Sequence, residues 1–180
     1  HCNINLGELR VMTVSGLGGE FALVGMAESA VGIVPDKSPR ELCVQVTLDA
    51  IQDAGLTLGE VDGLITCNAF AEPIMYHAEA VAEYIGWQPR HCVTVNTGGG
   101  TTFMALNMAA AAIQAGMADT IVVAMADSLR SFMTREQAMV VPSSSGHPQY
   151  EQPYGPTVPA NYALIARAHL AQFGPTETQF

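Results

Sequence analysis

The sequence predicts a layered α/β fold with a mainly parallel sheet. Short apolar runs alternate with helix-like segments that carry their own start and stop signals. Strands separated by helices imply crossover connections, which build parallel sheets covered on both faces. One run, Thr120–Ala126, is apolar on both faces, as a strand in such a sheet should be.

The elements follow in order. Phe21-Ala22-Leu23-Val24-Gly25 reads as a short strand after the glycine cluster Gly16-Leu17-Gly18-Gly19. Ser38-Pro39-Arg40-Glu41 is a capping box with proline at the first helical position. The helix it opens places Leu42, Cys43, Val46, Ala50 and Ala54 on one face and stops at Gly55. Val61-Asp62-Gly63 leads into a strand at Leu64–Cys67, and a helix from about Tyr76 to Ile85 closes at Gly86. A third strand spans Cys92–Val95, and the next helix spans Thr101–Ala115. Thr120–Ala126 follows as the fourth strand, with a central place in the sheet.

From Asp127 to Pro159 the alternation fails. This stretch holds five of the ten prolines and reads as an irregular insertion of the kind used for lids, substrate loops or subunit contacts. A last helix, about Ala160–Phe173, stops at Gly174. The expected organisation is a leader or added segment at 1–20, an α/β core at 21–126 and a loop domain at 127–180. The chain begins His-Cys and stops at Phe180, just after a Pro-Thr-Glu helix-start signal, so both ends read as cut.

Composition excludes several classes. The chain of 180 residues is 49% apolar and 13% charged, which describes a packed globular domain. A net charge of −10 with only seven Lys and Arg argues against a nucleic-acid binder. No apolar run reaches the roughly 18 residues of a membrane span, and His1–Arg10 lacks the layout of a secretory signal. Cys2, Cys43, Cys67 and Cys92 form no paired motif. They read as neither zinc ligands nor a disulfide framework, and the last three as buried free thiols of a cytoplasmic protein. The nine methionines fall mainly on apolar stripes, Met104 and Met108 on one helix face, and read as core fillers.

The segment richest in chemical meaning is Val93-Thr94-Val95-Asn96-Thr97-Gly98-Gly99-Gly100-Thr101-Thr102. A strand enters a glycine turn that opens onto a helix N-terminus, where unpaired N–H groups and the dipole favour anions and nucleophiles. The turn nevertheless has no Cys, Lys or acid. It lacks the Gly-Lys-Ser/Thr ending of a phosphate loop, and Gly16–Gly19 precedes its strand where a dinucleotide loop would follow one. No Gly-x-Ser-x-Gly elbow occurs, and Ser143–Ser145 have no strand before them.

Taken together, these residues resemble the N-terminal half of the thiolase superfamily. Val95-Asn96, the helix through Ala105 and Ala109 to Ile113, Gly116 and Asp119 fall in that family's register without a gap. Tyr154-Gly155-Pro156, Pro159, Tyr162–Arg167, His169 and Phe173-Gly174-Pro175-Thr176 resemble the loop domain of its sterol-carrier-protein-type branch. Ser38–Leu42, Ala54-Gly55-Leu56 and Val61–Leu64 match that branch as well, so the resemblance runs from about Phe21 to Phe180.

The resemblance implies a coenzyme A thioester substrate, no permanently bound cofactor or metal, a homodimer and, in some members, a small acyl-CoA-binding partner subunit. The family's nucleophilic Cys falls on Gly99 here, and Thr101 and Thr102 replace the Ser-Gly after it. The rest of the thiolase machinery belongs to a C-terminal half, and a fifth strand of this half is expected beyond Phe180. The resemblance thus leaves three readings. One is an aldolase that makes or breaks a β-hydroxyacyl-CoA, with the amides of Gly99 and Gly100 as oxyanion donors. The second is an acyltransferase whose nucleophile is displaced to Cys67 or Cys92. The third is a noncatalytic dimerising subunit in which the glycines merely permit close packing.

Gly99, Gly100 and Thr101 are therefore the candidate catalytic positions. Arg130 is the candidate for a CoA phosphate, and His147, Tyr150 and His169 are the further substrate-contact candidates. Tyr76 and His77 read as a helix cap and a surface group, and His91 as a solvated loop residue.

Overall fold

The computed structural model describes residues 21–143, 146–155 and 157–174. The expected segment at 1–20, with its Gly16–Gly19 cluster, lies outside them, as do Ser144, Ser145, Pro156, Pro175 and Thr176. Among the described residues three strands form one parallel sheet: β1 (Gly63–Thr66), β2 (His91–Thr94) and β3 (Ile121–Ala124), in the order β2-β1-β3. Leu64 faces Cys92 on one side and Val122 on the other. Three longer helices cover the sheet: α1 (Pro39–Asp53), α2 (His77–Ile85) and α3 (Thr101–Gln114).

Side-chain alternation divides the core into two halves. On one face Leu64 and Ala124 pack with Cys43 of α1 and Ala78, Val81 and Ala82 of α2. On the other, Ile65 and Val95 pack with Ala105 and Ala109 of α3. The result is a three-layer α/β/α arrangement, as the sequence pattern implies.

Helix boundaries follow local chemistry. The Ser38 hydroxyl accepts the Glu41 N–H at 3.2 Å, and the Glu41 carboxylate accepts the Ser38 N–H at 2.8 Å. Past the far end of α1, Gly55 takes a left-handed φ of +70°, which only glycine adopts freely.

The fold departs from the sequence reading in three places. Phe21–Gly25 is not a strand. It is irregular chain lying against α1, where a Cβ on Gly25 would stand 2.4 Å from the Ala50 carbonyl oxygen. Just beyond, the Met26 N–H donates to Asp53 Oδ2, so this segment spends polar contacts on a helix rather than a ladder.

β3 is an edge strand among the described residues, and β1 is central. Apolar residues on both faces of β3 report helices above and below it, which says nothing of neighbours to the side. All four β1 residues are buried, whereas three of the four in β3 are half-buried.

The stretch after Asp127 is not irregular throughout. It holds α4 (Leu129–Phe132), α5 (Arg135–Ser143) and a 3-10 turn at Gln152–Tyr154, before α6 (Val158–Phe173). Thr134 and Gln137 cap α5 reciprocally, each side chain accepting the other's backbone N–H. Thr157 caps α6 through the Ala160 N–H. Among the described residues no helix is long and apolar enough to cross a membrane.

The central strand tolerates its neighbour only because residue 63 has no side chain. A Cβ there would meet Ile121 Cγ1 at 2.6 Å. Gly63→Ala should therefore cost about 1–3 kcal/mol, as overpacking does, read as a lower urea midpoint. Adding Ile121→Ala should cost less in that background than in the parent. Strict additivity of the two changes would show that this close approach is not what the sheet depends on.

Candidate active site at the carboxyl edge of the sheet

In open parallel sheets ligands gather outside the carboxyl ends of the strands. Three loops leave the sheet there, one after each strand. β2 continues through Val95 and Asn96 into the glycine turn. Gly98 takes φ +65°, Gly98–Gly100 make one 3-10 turn, and α3 begins at Thr101. A Cβ on Gly98 or Gly99 would meet nothing within 4 Å, so the outer side of this turn is open. The helix behind it is apolar and alanine-rich, which lets it lie close over Ile65 and Val95.

Thr101 locks the turn. Its buried hydroxyl donates to the Gly98 carbonyl at 2.6 Å and accepts the Thr97 N–H at 2.9 Å. A hydroxyl held this way is committed to the backbone and poorly disposed for attack on a substrate. Thr102 is exposed, and its hydroxyl reaches Met125 Sδ at 3.4 Å.

The three loops are tied to one another by side chains. Asn96 Oδ1 accepts the Asn68 N–H at 3.1 Å, joining the loops after β2 and β1. Asp127, after β3, accepts the N–H groups of Phe70 at 2.6 Å, Ala71 at 3.3 Å and Ser128 at 2.8 Å. Arg40 at the start of α1 pairs with Glu72 at 2.9 Å and lies over the Tyr84 ring.

His77 completes the set. It is fully buried, with Nδ1 3.0 Å from Thr66 Oγ1, while Nε2 is enclosed without a partner. Burial pushes its pKa down, Glu72 and Asp127 pull it up, and Arg40 adds to the lowering, so the net shift is downward. The sequence reading of His77 as a surface group is thereby corrected, while Tyr76 is 65% exposed. A usable signal was present, since His77 stands one turn before Val81 on the buried face of α2.

The thiols are ill placed for nucleophilic work. Burial pushes Cys43 up to about 12 and Cys92 up to about 11. Cys67 is raised by burial and by the Asp127 carboxylate. None of the three stands at a helix N-terminus, the position that favours a thiolate. Cys2 lies outside the described residues. Among the described residues no group of three or more His, Cys, Asp or Glu side chains could hold a metal ion.

The candidates from the sequence divide into two groups. Gly99, Gly100 and Thr101 are contiguous at the carboxyl edge, and the exposed Arg130 stands just beyond β3 on α4. His147 and Tyr150 lie between α5 and α6, exposed, with ring centroids 4.7 Å apart. His169 is on α6, its ring 4.7 Å from that of Phe173. His91 is half-buried at the start of β2, the opposite edge of the sheet.

No protein-family model matches the chain. Curated relatives do. It is 29% identical over 172 residues to the 17-hydroxy-3-oxo-4-pregnene-20-carboxyl-CoA lyase of Mycobacterium tuberculosis, covering 91% of this chain and 43% of that protein. It is 28% identical to the steroid side-chain-cleaving aldolase of Thermomonospora curvata, covering 93% and 44%. An acetyl-CoA acetyltransferase of Methanothermobacter thermautotrophicus is 24% identical, with 89% and 42% covered.

Among solved structures, the Ltp2-ChsH2(DUF35) aldolase superposes with a TM-score of 0.65 at 26% identity, over 86% of this chain and 39% of that one. The fold is thus of the thiolase-like α/β type. These relatives support a thiolase-like or aldolase family for the chain. The chain spans somewhat over two fifths of the length of the curated relatives.

The lock at Thr101 is testable by itself. Thr101→Ser keeps the hydroxyl and should leave stability within about 1 kcal/mol of the parent. Thr101→Val leaves the Thr97 N–H and Gly98 carbonyl without their partner and should cost about 1–3 kcal/mol. Thermal unfolding of both variants compares them, and equal melting temperatures would remove the lock.

Proposed function

We propose that this chain supplies the glycine-turn side of an acyl-CoA site in a thiolase-like protein. The reaction is aldol-type cleavage or formation of a carbon–carbon bond, run without an acyl-enzyme. The observation that carries this reading is the open glycine turn at the start of α3, together with thiols that are raised and sit elsewhere. A thioester exchange through an acyl-enzyme needs a thiolate at that spot. A retro-aldol step needs something less. A base takes the proton of the β-hydroxyl, the Cα–Cβ bond breaks as the new carbonyl forms, and N–H donors hold the enolate oxygen that results.

In this reading the amides of Gly99 and Gly100 are the enolate donors, and Thr101 holds them in place through Gly98. Arg130 meets a phosphate of the CoA, and His147, Tyr150 and His169 contact the acyl portion. The acid/base belongs to a part of the site beyond these residues. Support for the aldol class comes from the two relatives named as a lyase and an aldolase. The likeness to the Ltp2-ChsH2(DUF35) aldolase supports a small partner subunit beside the homodimer expected from the resemblance.

The test uses the complete protein with β-hydroxyacyl-CoA substrates, following carbonyl release and intact mass in parallel. Carbonyl product without a mass gain is the expected result. An acyl adduct lost in Cys67→Ala or Cys92→Ala would replace this reading with the acyltransferase. Absence of both product and adduct would leave the noncatalytic dimerising subunit as the better account.

A further inference from the structure

The loop from Cys67 to Tyr76 is fastened more heavily than its length requires. Asn96 holds the Asn68 amide, Asp127 holds the Phe70 and Ala71 amides, and Arg40 holds the Glu72 carboxylate. The last fastening is His77, whose Nδ1 meets Thr66 Oγ1 eleven residues back and so closes the loop on the end of β1. Of these fastenings only the histidine is fully buried, and imidazole is the side-chain type whose ordinary pKa lies close to neutrality.

The surroundings of the ring have no place for a second proton. Thr66 of β1 occupies Nδ1, and Nε2 is enclosed without an acceptor. The charged groups acting on the ring are Glu72 and Asp127 from the loops and Arg40 from α1. Glu72 is already paired with Arg40, and Asp127 already holds three amides. From the elements packed beside α2 come the hydroxyl of Thr94 on β2 and the thiols of Cys43 and Cys92, all uncharged.

We propose that His77 is a protonation-sensitive clasp that holds the 67–76 loop over the carboxyl edge of the sheet and releases it in acid. A buried imidazolium would carry an Nε2–H donor with nothing to accept it, a costly state. It gains an acceptor in one of two ways. The ring leaves its slot, or a carboxylate lets go of the groups it now fastens. Both loosen the same loop, the one that Asn96 couples to the glycine turn. The clasp belongs to the geometry of this chain and operates whichever reaction the site performs.

The direction with pH follows from linkage. Released, the ring has an ordinary affinity for protons, near pH 6.5. Held, its affinity is lower because it is buried. The closed loop is therefore at full stability above about pH 6.5. Below it, the ratio of open to closed rises by up to tenfold per pH unit, until the held ring itself takes up a proton.

Hydrogen exchange of the Asn68, Phe70 and Ala71 amides reads the clasp directly, after correction for the intrinsic pH dependence of exchange. In the unmodified chain, protection at these amides should fall by up to about fivefold between pH 6.5 and 5.5. Amides in the middle of α1 should hold steady. His77→Asn keeps a side chain able to bond Thr66 but cannot titrate, so the slope should vanish.

Should that variant fail to fold, Thr66→Val answers the same question. With His77 left in place and its partner removed, protection should already be lower above about pH 6.5, while the fall still begins where the released ring titrates. Ring titration of the unmodified protein by NMR provides a further reading. A slope retained in His77→Asn, unchanged protection above about pH 6.5 in Thr66→Val, or a His77 ring titrating at its ordinary value would each overturn the clasp.

Discussion

The structure hangs on β1, a strand of four residues buried on both faces and paired on both edges. A parallel strand in that position has no solvent to fall back on, so every polar group on it must find a protein partner. The Gly63 N–H goes to the Thr120 carbonyl, and the Thr66 carbonyl takes the Val95 N–H, so pairing runs past both ends of the strand. The Thr66 hydroxyl meets His77. Leu64 and Ile65 each anchor one half of the core, so a shift of register by one residue would exchange the two halves.

What fixes the register is concentrated at the two edges of the sheet. At the amino edge, the Asp62 carboxylate accepts the N–H groups of Asp119 and Thr120 and pairs with Arg90 at 2.9 Å. Burial opposes its ionisation, but those amides and the guanidinium outweigh it and hold the carboxyl below its usual range. One side chain thereby aligns the starts of all three strands. At the carboxyl edge the same task is divided among Asn96, Asp127 and His77. The amino edge is held by an anion satisfied on all sides. Buried polar atoms without partners remain at both edges, on Asn68, His77 and Ser128 at the carboxyl edge and on His91 at the amino edge.

Layering and helix ends were legible in the sequence because they depend on local rules. The Ser38 box and the glycines at 55, 86 and 174 mark helix ends wherever the chain goes, since capping and left-handed φ need only neighbours. The Thr134–Gln137 box obeys the same rule but was hidden among prolines and serines that argued for loop. Lateral order was not legible, because an apolar pattern records what lies above and below a strand and not what lies beside it. The burial of His77 was legible only through its four-residue spacing from Val81. A polar residue at the first position of a helix ordinarily faces water, and only Thr66, eleven positions away, makes the inward position tenable.

At the glycine turn the sequence and the geometry point the same way for different reasons. By register, the thiolase resemblance would put Gly99 where that family has its nucleophile. By geometry, the turn is open outward and locked inward, because the Thr101 hydroxyl uses both of its bonding roles on the backbone. Taking the side chain away from residue 99 keeps what a helix start offers by itself, namely N–H groups and a positive dipole end. Those features stabilise a developing oxyanion but cannot form a bond to carbon. In the aldol reading proposed above, a rigid, open donor turn without a nucleophile would suit a reaction in which charge develops on oxygen and no acyl group is transferred to the protein. The constraint operates through Thr101 more than through the glycines. An unlocked triple-glycine turn would cost conformational entropy each time it had to be ordered, and the Thr101 hydroxyl removes that cost in advance.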